Sequence, residues 1–199
     1  MTDAGSDSPR FGWWIAGAVA TSVLLRLPSL HAPLSPDEAG ALVVARAWGG
    51  GARLYVDTFV DRPQGVIVLF QRWDDAFGPS PAAVRALAIV AGVVVVLAAA
   101  VTAAAVARRR SAGAVAAWLV AVTSASAAIE GATANGELLA GAAAVPAMAI
   151  AALVATRRTH AAWLVAAGAL AATAITMKQS GADVLVAIAA WIVLAVWRG

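Results

Sequence analysis

The chain has 199 residues, of which 62% are hydrophobic and only 13% are charged, and its mean hydropathy is +0.83. About half of the residues of a soluble domain are apolar, so this composition excludes an ordinary soluble domain and indicates a membrane protein. The net charge of +3 does not indicate a nucleic-acid partner, because that interpretation requires a basic patch on a soluble surface. The absence of cysteine excludes disulfides and cysteine-ligated metals.

Transmembrane helices are predicted where runs of about 17 to 25 apolar residues lie between charged residues. The first apolar run has no small-x-small cleavage site and further runs follow it, so it is predicted to be an anchor and not a signal peptide. The sequence therefore predicts an all-α polytopic membrane protein, with a tail at residues 1–10 and one transmembrane domain at residues 11–199. Six spans are expected, near residues 11–29, 82–107, 112–129, 138–156, 161–177 and 183–197.

The charged residues predict how these spans are oriented. An alternating six-span path places the basic residues at span ends on one side, which the positive-inside rule makes cytoplasmic. These residues are Arg10, Arg108, Arg109, Arg110, Arg157, Arg158 and Arg198. Every acidic residue beyond the tail falls on the outer side: Asp37, Glu38, Asp57, Asp61, Asp74, Asp75, Glu130, Glu137 and Asp183.

The long outer connection, residues 30–81, joins the first two spans and contains the stretch SPDEAG at residues 35–40. Ser35 and Glu38 have the spacing of a capping box, and Pro36 stands at the first helical position. A helix is therefore predicted from here to the three glycines at residues 49–51. Acidic residues in a first turn also stabilise the helix dipole, so helix capping alone accounts for Asp37 and Glu38, and a chemical role is the alternative.

A second helix is predicted in this connection at residues 64–76. Its apolar residues recur at i, i+3, i+4, i+7 and i+11, which places them in one stripe. Such an amphipathic helix is expected to lie in the membrane interface. The stripe consists of Val66, Leu69, Phe70, Trp73 and Phe77.

Three outer connections carry polar side chains at the same expected membrane depth. The first contains Asp37, the second joins spans three and four, and the third joins spans five and six. Polar groups at such a depth are costly and are often functional, so their convergence favours a site. Besides Asp37, the polar residues are Asn135, Glu137, Lys178, Gln179 and Ser180.

The order of four segments resembles a known family, and the resemblance covers almost the whole chain. The segments read RLPSL, SPDEAG, GGGARLYVDTFVDRPQG and FGPSPAAVRAL. They are similar to the start of the GT-C membrane glycosyltransferases that use polyprenyl-phosphate sugars, the superfamily of the protein O-mannosyltransferases and the lipid A aminoarabinose transferase. Gln64 departs from this pattern, because the family has a second proline there. The positions that match are Arg26, Asp37, Glu38, Gly51, Tyr55, Asp57, Arg62, Pro63, Asn135 and Glu137.

The resemblance implies transfer of a sugar from a polyprenyl-phosphate lipid to an acceptor, on the outer face of a bacterial-type plasma membrane. Asp37, or Glu38 beside it, would act as general base on the acceptor hydroxyl. Cationic groups would stabilise the charge that develops on the leaving phosphate. The candidate substrate-binding residues are Arg26, Tyr55, Asp57, Arg62, Asn135, Glu137, Lys178 and Gln179.

Each of these residues also has a simpler interpretation. Arg26 and Lys178 stand near span ends, where long cationic side chains reach the interface without binding a ligand. Asp57 is typical of a solvated turn. His31 and His160 fall on opposite sides of the membrane and do not share a metal site. Carboxylates alone are suitable ligands for Mg²⁺ or Mn²⁺, and the sequence leaves that possibility open.

Two other functions follow from different interpretations of the same residues. A non-catalytic membrane module that binds or moves a polyprenyl-phosphate lipid needs the cationic groups but not Asp37. A secondary transporter predicts acidic residues within the spans and inverted repeats, and neither is present in the sequence. Enzymes of the GT-C type usually have more spans and often a soluble outer domain, so the chain is expected to be the N-terminal part of a longer enzyme or to act with a partner.

Overall fold

The structure is a computed structural model, which describes residues 8–156 and 158–197. The regular structure of these residues is helical, which confirms the all-α prediction. Short 3-10 helices follow three of the α-helices, at Leu27–Ser29, Ala127–Ile129 and Gln179–Ala182. The α-helices are α1 (Ser8–Arg26), α2 (Pro36–Gly49), α3 (Gln64–Phe77), α4 (Pro81–Val106), α5 (Arg110–Thr123), α6 (Gly136–Ala155), α7 (Trp163–Met177) and α8 (Asp183–Trp197).

Three segments are long and apolar enough to cross a bilayer: Arg10–Ser29, Pro81–Val106 and Gly136–Ala155. They correspond to α1 with its 3-10 extension, α4 and α6, and they support the membrane class that the composition predicts. The helices α5, α7 and α8 are also apolar but have only 14 or 15 residues. Arg157, Arg198 and most of the predicted tail lie outside the described residues.

Small residues let the long helices approach one another closely. Alanines spaced four residues apart on α6 pack against alanines on α7, and the same cluster includes Val184 and Ile188 of α8. A Cβ atom at Gly113 of α5 would lie 2.7 Å from the carbonyl oxygen of Ala100 on α4. The alanine and glycine content of the sequence is therefore used for helix–helix packing, as it is in many membrane proteins.

The helix α5 is shorter than the sequence predicts, because it ends at Thr123 and not near residue 129. Beyond it, the carbonyl oxygen and hydroxyl group of Ser124 accept hydrogen bonds from Nη2 of Arg26, at 2.7 and 3.2 Å. Glu130 then adopts a left-handed conformation with φ of 52°. The apolar residues after Thr123 thus form a turn and a 3-10 helix whose backbone is bonded to the end of α1.

The side chain of Arg26 is fully buried and joins α1 to the connection between α5 and α6. Besides Ser124, its guanidinium group donates to the carbonyl oxygen of Gly131 at 2.9 Å and to the hydroxyl group of Ser22 at 2.7 Å. A Cβ atom at Gly92 of α4 would lie only 2.7 Å from Cζ of Arg26. Gly92 therefore provides the space that this buried cation occupies.

The two helices of the long connection begin and end close to the predicted residues. The capping box of α2 is confirmed: Ser35 Oγ accepts from Glu38 N at 3.3 Å, and Glu38 Oε2 accepts from Ser35 N at 2.8 Å. The helix ends at Gly49, and Gly51 has a φ of 98°. A left-handed conformation of this kind favours glycine.

The helix α3 buries Val66 and Phe70 of the predicted stripe, but Phe77 is 62% exposed, and Ile67, which was not predicted in the stripe, is fully buried. The buried residues differ from the predicted stripe because α3 packs on more than one side, against α2, α4 and α7. The indole group of Trp73 donates to the carbonyl oxygen of Ala83 on α4 at 2.7 Å.

A two-point ion pair joins α3 to α2. Arg46 Nε and Nη2 each donate to one carboxylate oxygen of Asp74 at 2.9 Å. The hydrogen bond from Arg46 holds the pKa of Asp74 below its ordinary value. The two helices of the outer connection are thereby bonded to each other as well as packed.

Replacing Gly92 by Ala is expected to destabilise the protein by about 1 to 3 kcal/mol, the usual cost of overpacking. The added methyl group would overlap the guanidinium group of Arg26, which is already bonded on several sides. Gly168 in α7 is the control, because a Cβ atom there meets nothing within 4 Å. Gly168→Ala should be neutral or stabilising by up to about 1 kcal/mol. Thermal unfolding of both variants in one detergent measures the difference, and equal midpoints would contradict the packing described.

Candidate functional site

The polar residues of the three outer connections meet at one end of the helix bundle. Glu38 Oε1, near the start of α2, accepts a hydrogen bond at 2.8 Å from the backbone N–H of Ala134, just before α6. Lys178, directly after α7, forms an ion pair with Glu137 in the first turn of α6. The structure thus brings together segments that are about one hundred residues apart in the sequence.

Glu38 is held by hydrogen bonds on both of its carboxylate oxygens and has no exposed surface. Besides the bonds to Ser35 and Ala134, its Oε2 lies 3.2 Å from Nη2 of Arg85 on α4. Removing one member of such a buried pair leaves an uncompensated charge and is strongly destabilising. The arrangement gives Glu38 the position of a structural anchor beside Asp37.

Arg85 is a residue that the sequence reasoning missed. Its side chain is almost entirely buried, and besides Glu38 it donates to the carbonyl oxygens of Pro33 at 2.8 Å and Ala132 at 3.2 Å. The sequence could have indicated Arg85 by its position, because it is a charged residue within an otherwise apolar span. Such residues usually pair with another charge or with backbone carbonyls.

Asp37 is the accessible member of the acidic pair. Its side chain is 51% exposed, and its Oδ2 accepts a hydrogen bond from Nη2 of Arg62 at 2.5 Å. Arg62 is half-buried, and its Nε lies 3.6 Å from Oδ1 of Asp61. The structure therefore places a solvent-accessible carboxylate and a guanidinium group in direct contact.

The segment before Arg62 forms a compact turn that positions this arginine. Tyr55 adopts a left-handed conformation with φ of 66°, and its hydroxyl group donates to the carbonyl oxygen of Arg62 at 2.8 Å. Asp57 accepts hydrogen bonds from the backbone and side chain of Arg53 in the same turn, and these bonds lower the pKa of Asp57. Asp57 thus organises the turn, while Tyr55 holds Arg62.

Two pockets meet at Arg62. A small pocket of about 20 Å³ is lined by Asp37, Arg62 and Asn135. A larger, open pocket of about 580 Å³ is lined by Tyr55, Arg62 and Gln179 together with residues of the turn and of α7. Arg62 lines both pockets, whereas Asp37 lines only the small one.

The remaining residues of the predicted site surround these pockets or lie apart from them. Asn135 caps α6, because its Oδ1 accepts from the backbone N–H of Leu138 at 2.8 Å and its Nδ2 donates to the carbonyl oxygen of Glu130 at 3.2 Å. Arg26 bonds to backbone and hydroxyl oxygens and lines neither pocket. Among the described residues, no three His, Asp or Glu side chains are grouped so that they could hold a metal ion.

Comparisons of the chain with protein-family models, curated proteins and solved structures find no match. The function is therefore inferred from the chemistry of the site. Its components are an accessible carboxylate at Asp37, the guanidinium group of Arg62, an open pocket that Arg62 lines, and the ammonium group of Lys178, which is paired with Glu137. This combination can accept a proton from a hydroxyl group and stabilise a phosphate anion.

Replacing Glu38 by Gln is expected to lower the free energy of unfolding by about 3 to 5 kcal/mol, because Arg85 would become a buried cation without its counterion. Asp37→Asn is the matched control and removes a neighbouring carboxylate whose exposed ion pair contributes about 0 to 1 kcal/mol. Thermal unfolding of both variants in the same detergent provides the comparison. A fall in the midpoint that is equally small for both would contradict the structural role of Glu38.

Proposed function

We propose that the chain carries the transfer site of a membrane glycosyltransferase that uses a polyprenyl-phosphate sugar as donor. The observation that carries this proposal is the contact between the exposed carboxylate of Asp37 and the guanidinium group of Arg62 at the edge of an open pocket. The ordered resemblance of the outer segments to the GT-C glycosyltransferases supports the same function. Lys178 supplies a second cation at the same end of the bundle.

In the proposed reaction, Asp37 accepts the proton of the acceptor hydroxyl group as its oxygen attacks the anomeric carbon of the sugar. The bond between that carbon and the phosphate oxygen breaks, and polyprenyl phosphate leaves with the bonding electrons. Arg62 and Lys178 stabilise the negative charge that develops on the phosphate, which is an electrostatic contribution to catalysis. The acceptor gains the sugar, and the proton is released from Asp37 afterwards.

Other residues position these groups in the proposed site. Glu38 and Arg85 fix the start of α2, and hence Asp37, against α4 and the segment before α6. Tyr55 holds the backbone of Arg62, and Gln179 lines the open pocket where donor or acceptor would bind. Glu137 keeps Lys178 at the site through their ion pair.

We further propose that α1, α4, α5, α6, α7 and α8 cross the membrane, while α2 and α3 lie in its outer interface. Arg110 and Arg158 would then face the cytoplasm, as the positive-inside rule requires. At a rise of about 1.5 Å per residue, α5, α7 and α8 are about 21 to 23 Å long, shorter than a hydrocarbon core of about 30 Å. Local thinning of the bilayer accommodates such short spans at modest cost.

Single cysteines test this topology, because the natural chain has none to remove. Exposed alanines are suitable positions: Ala76 and Ala128 on the proposed outer side, and Ala161 on the proposed cytoplasmic side. A membrane-impermeant maleimide added to intact cells should label Ala76→Cys and Ala128→Cys, and Ala161→Cys only after the membrane is opened. Labelling of Ala76→Cys but not Ala128→Cys in intact cells would show that α4 and α5 do not both span.

Replacing Asp37 by Asn should lower sugar transfer by about 10²- to 10⁴-fold, the usual effect of losing a general base, and should change the unfolding midpoint little. The assay measures release of polyprenyl phosphate from a panel of polyprenyl-phosphate sugars by membranes that contain the full-length protein. Asp61→Asn is the control, because Asp61 is exposed and also lies beside Arg62. It should retain activity within about tenfold of the wild type.

Two outcomes of this assay would contradict the proposal. Full activity of Asp37→Asn would remove Asp37 from the catalytic role and leave SPDEAG as a helix start. Binding of donor lipid without release of polyprenyl phosphate by the wild type would favour a non-catalytic lipid-binding module, for which Asp37→Asn should leave lipid affinity unchanged.

A further inference from the structure

A groove between α1 and α5 lies outside the proposed transfer site. It has a volume of about 550 Å³ and is formed by the first half of α1 and by residues of α5 from Arg110 to Leu119. The two helices run in the same direction, because Trp14 packs against Trp118 in the groove while Arg26 contacts Ser124 beyond the other ends of the helices. The groove is thus at the end of α1 and α5 that is remote from the contacts of Arg26.

Two cations line this groove, each close to the start of its helix. Arg10 at the start of α1 and Arg110 at the start of α5 both line it, and both side chains are exposed. The ion pairs of the described residues include neither of them. Two guanidinium groups on neighbouring helices can bind one phosphate through charge-assisted hydrogen bonds.

The rest of the groove is apolar and aromatic. Phe11, Trp14, Trp118 and Leu119 form its walls, and the rings of Trp14 and Trp118 meet edge to face with centroids 6.4 Å apart. Trp14 is 57% exposed. Within a membrane this open apolar side would face the lipid chains.

The length of the groove is close to the thickness of the hydrocarbon region of one bilayer leaflet. From Arg110 to Leu119 the helix advances nine residues, or about 13 Å at 1.5 Å per residue. Half of a hydrocarbon core of about 30 Å is about 15 Å. An acyl chain whose headgroup lies at Arg10 and Arg110 would therefore extend along the whole groove and end near the middle of the membrane.

We propose that this groove binds one anionic glycerophospholipid from the leaflet on the arginine-rich side, with its phosphate between Arg10 and Arg110 and one acyl chain along the aromatic walls. The charge of the two arginines selects an anionic lipid over a zwitterionic one, since basic pockets between membrane helices bind anionic headgroups. The proposal is independent of sugar transfer and requires only that α1 and α5 lie in the membrane. Bound lipid would join the two helices at the end that Arg26 does not reach.

Native mass spectrometry of the full-length chain in detergent, mixed with dioleoyl phosphatidylglycerol or dioleoyl phosphatidylcholine, tests this proposal. The wild type should retain phosphatidylglycerol about 25-fold more strongly, because each of two cations near an anionic headgroup contributes about fivefold. Arg10→Gln combined with Arg110→Gln should reduce this preference to about one. The matched control is Arg109→Gln combined with Arg158→Gln, which removes the same charge from residues that do not line the groove.

The control separates a defined site from general attraction to a basic surface. It should keep the preference of the wild type within about twofold, and an equal loss in both double variants would overturn the proposal, as would equal retention of the two lipids by the wild type.

Ala114→Leu tests the acyl position, because Ala114 lines the groove. Each displaced methylene costs about fourfold in binding, so this variant should retain both lipids at least fourfold less, and unchanged retention would show that the chain lies elsewhere.

Discussion

The buried ion pair between Glu38 and Arg85 is the interaction on which the end of the helix bundle that carries Asp37 depends. Through it and the adjoining hydrogen bonds, the start of α2, the second turn of α4 and the segment before α6 are bonded to one another. Without a counterion, either charge would be buried at a cost of several kcal/mol. The pair therefore restricts these three segments to one arrangement, and Asp37 is covalently next to it.

Arg26 imposes a second constraint of the same kind by a different means. It has no carboxylate partner among the residues that the structure describes, but it donates to the backbone oxygens of Ser22, Ser124 and Gly131, which satisfies carbonyl groups at turns and helix ends. In a membrane such carbonyl groups have no water to bond to. Two buried arginines, Arg26 and Arg85, thus bond the connections at one end of the bundle, and the ion pair of Asp37 with Arg62 is more accessible than either. A change at Asp37 should therefore affect the stability of the fold less than a change at Glu38.

Local patterns predicted the local features of this structure. The Ser35–Glu38 spacing predicted the start of α2, and the apolar period predicted α3 within one residue, because capping and amphipathic packing depend on neighbours in the chain. The end of α5 and the partners of Arg85 were not predicted, because both depend on contacts with residues about fifty to one hundred positions away. For the same reason the sequence placed Glu38 beside Asp37 in the site but did not distinguish a buried anchor from an accessible carboxylate.

The coupling between Glu38 and Arg85 is the most direct test of this account. Glu38→Gln, Arg85→Met and the double variant form a double-mutant cycle in which the free energy of unfolding of the full-length chain is measured in one detergent. If the pair holds this end of the bundle together, the double variant should be more stable than the sum of the single losses predicts, by a coupling free energy of about 2 kcal/mol, since directly paired residues couple by about 0.5 to 3 kcal/mol. Losses that add within about 0.5 kcal/mol, as they do for distant and independent sites, would contradict it.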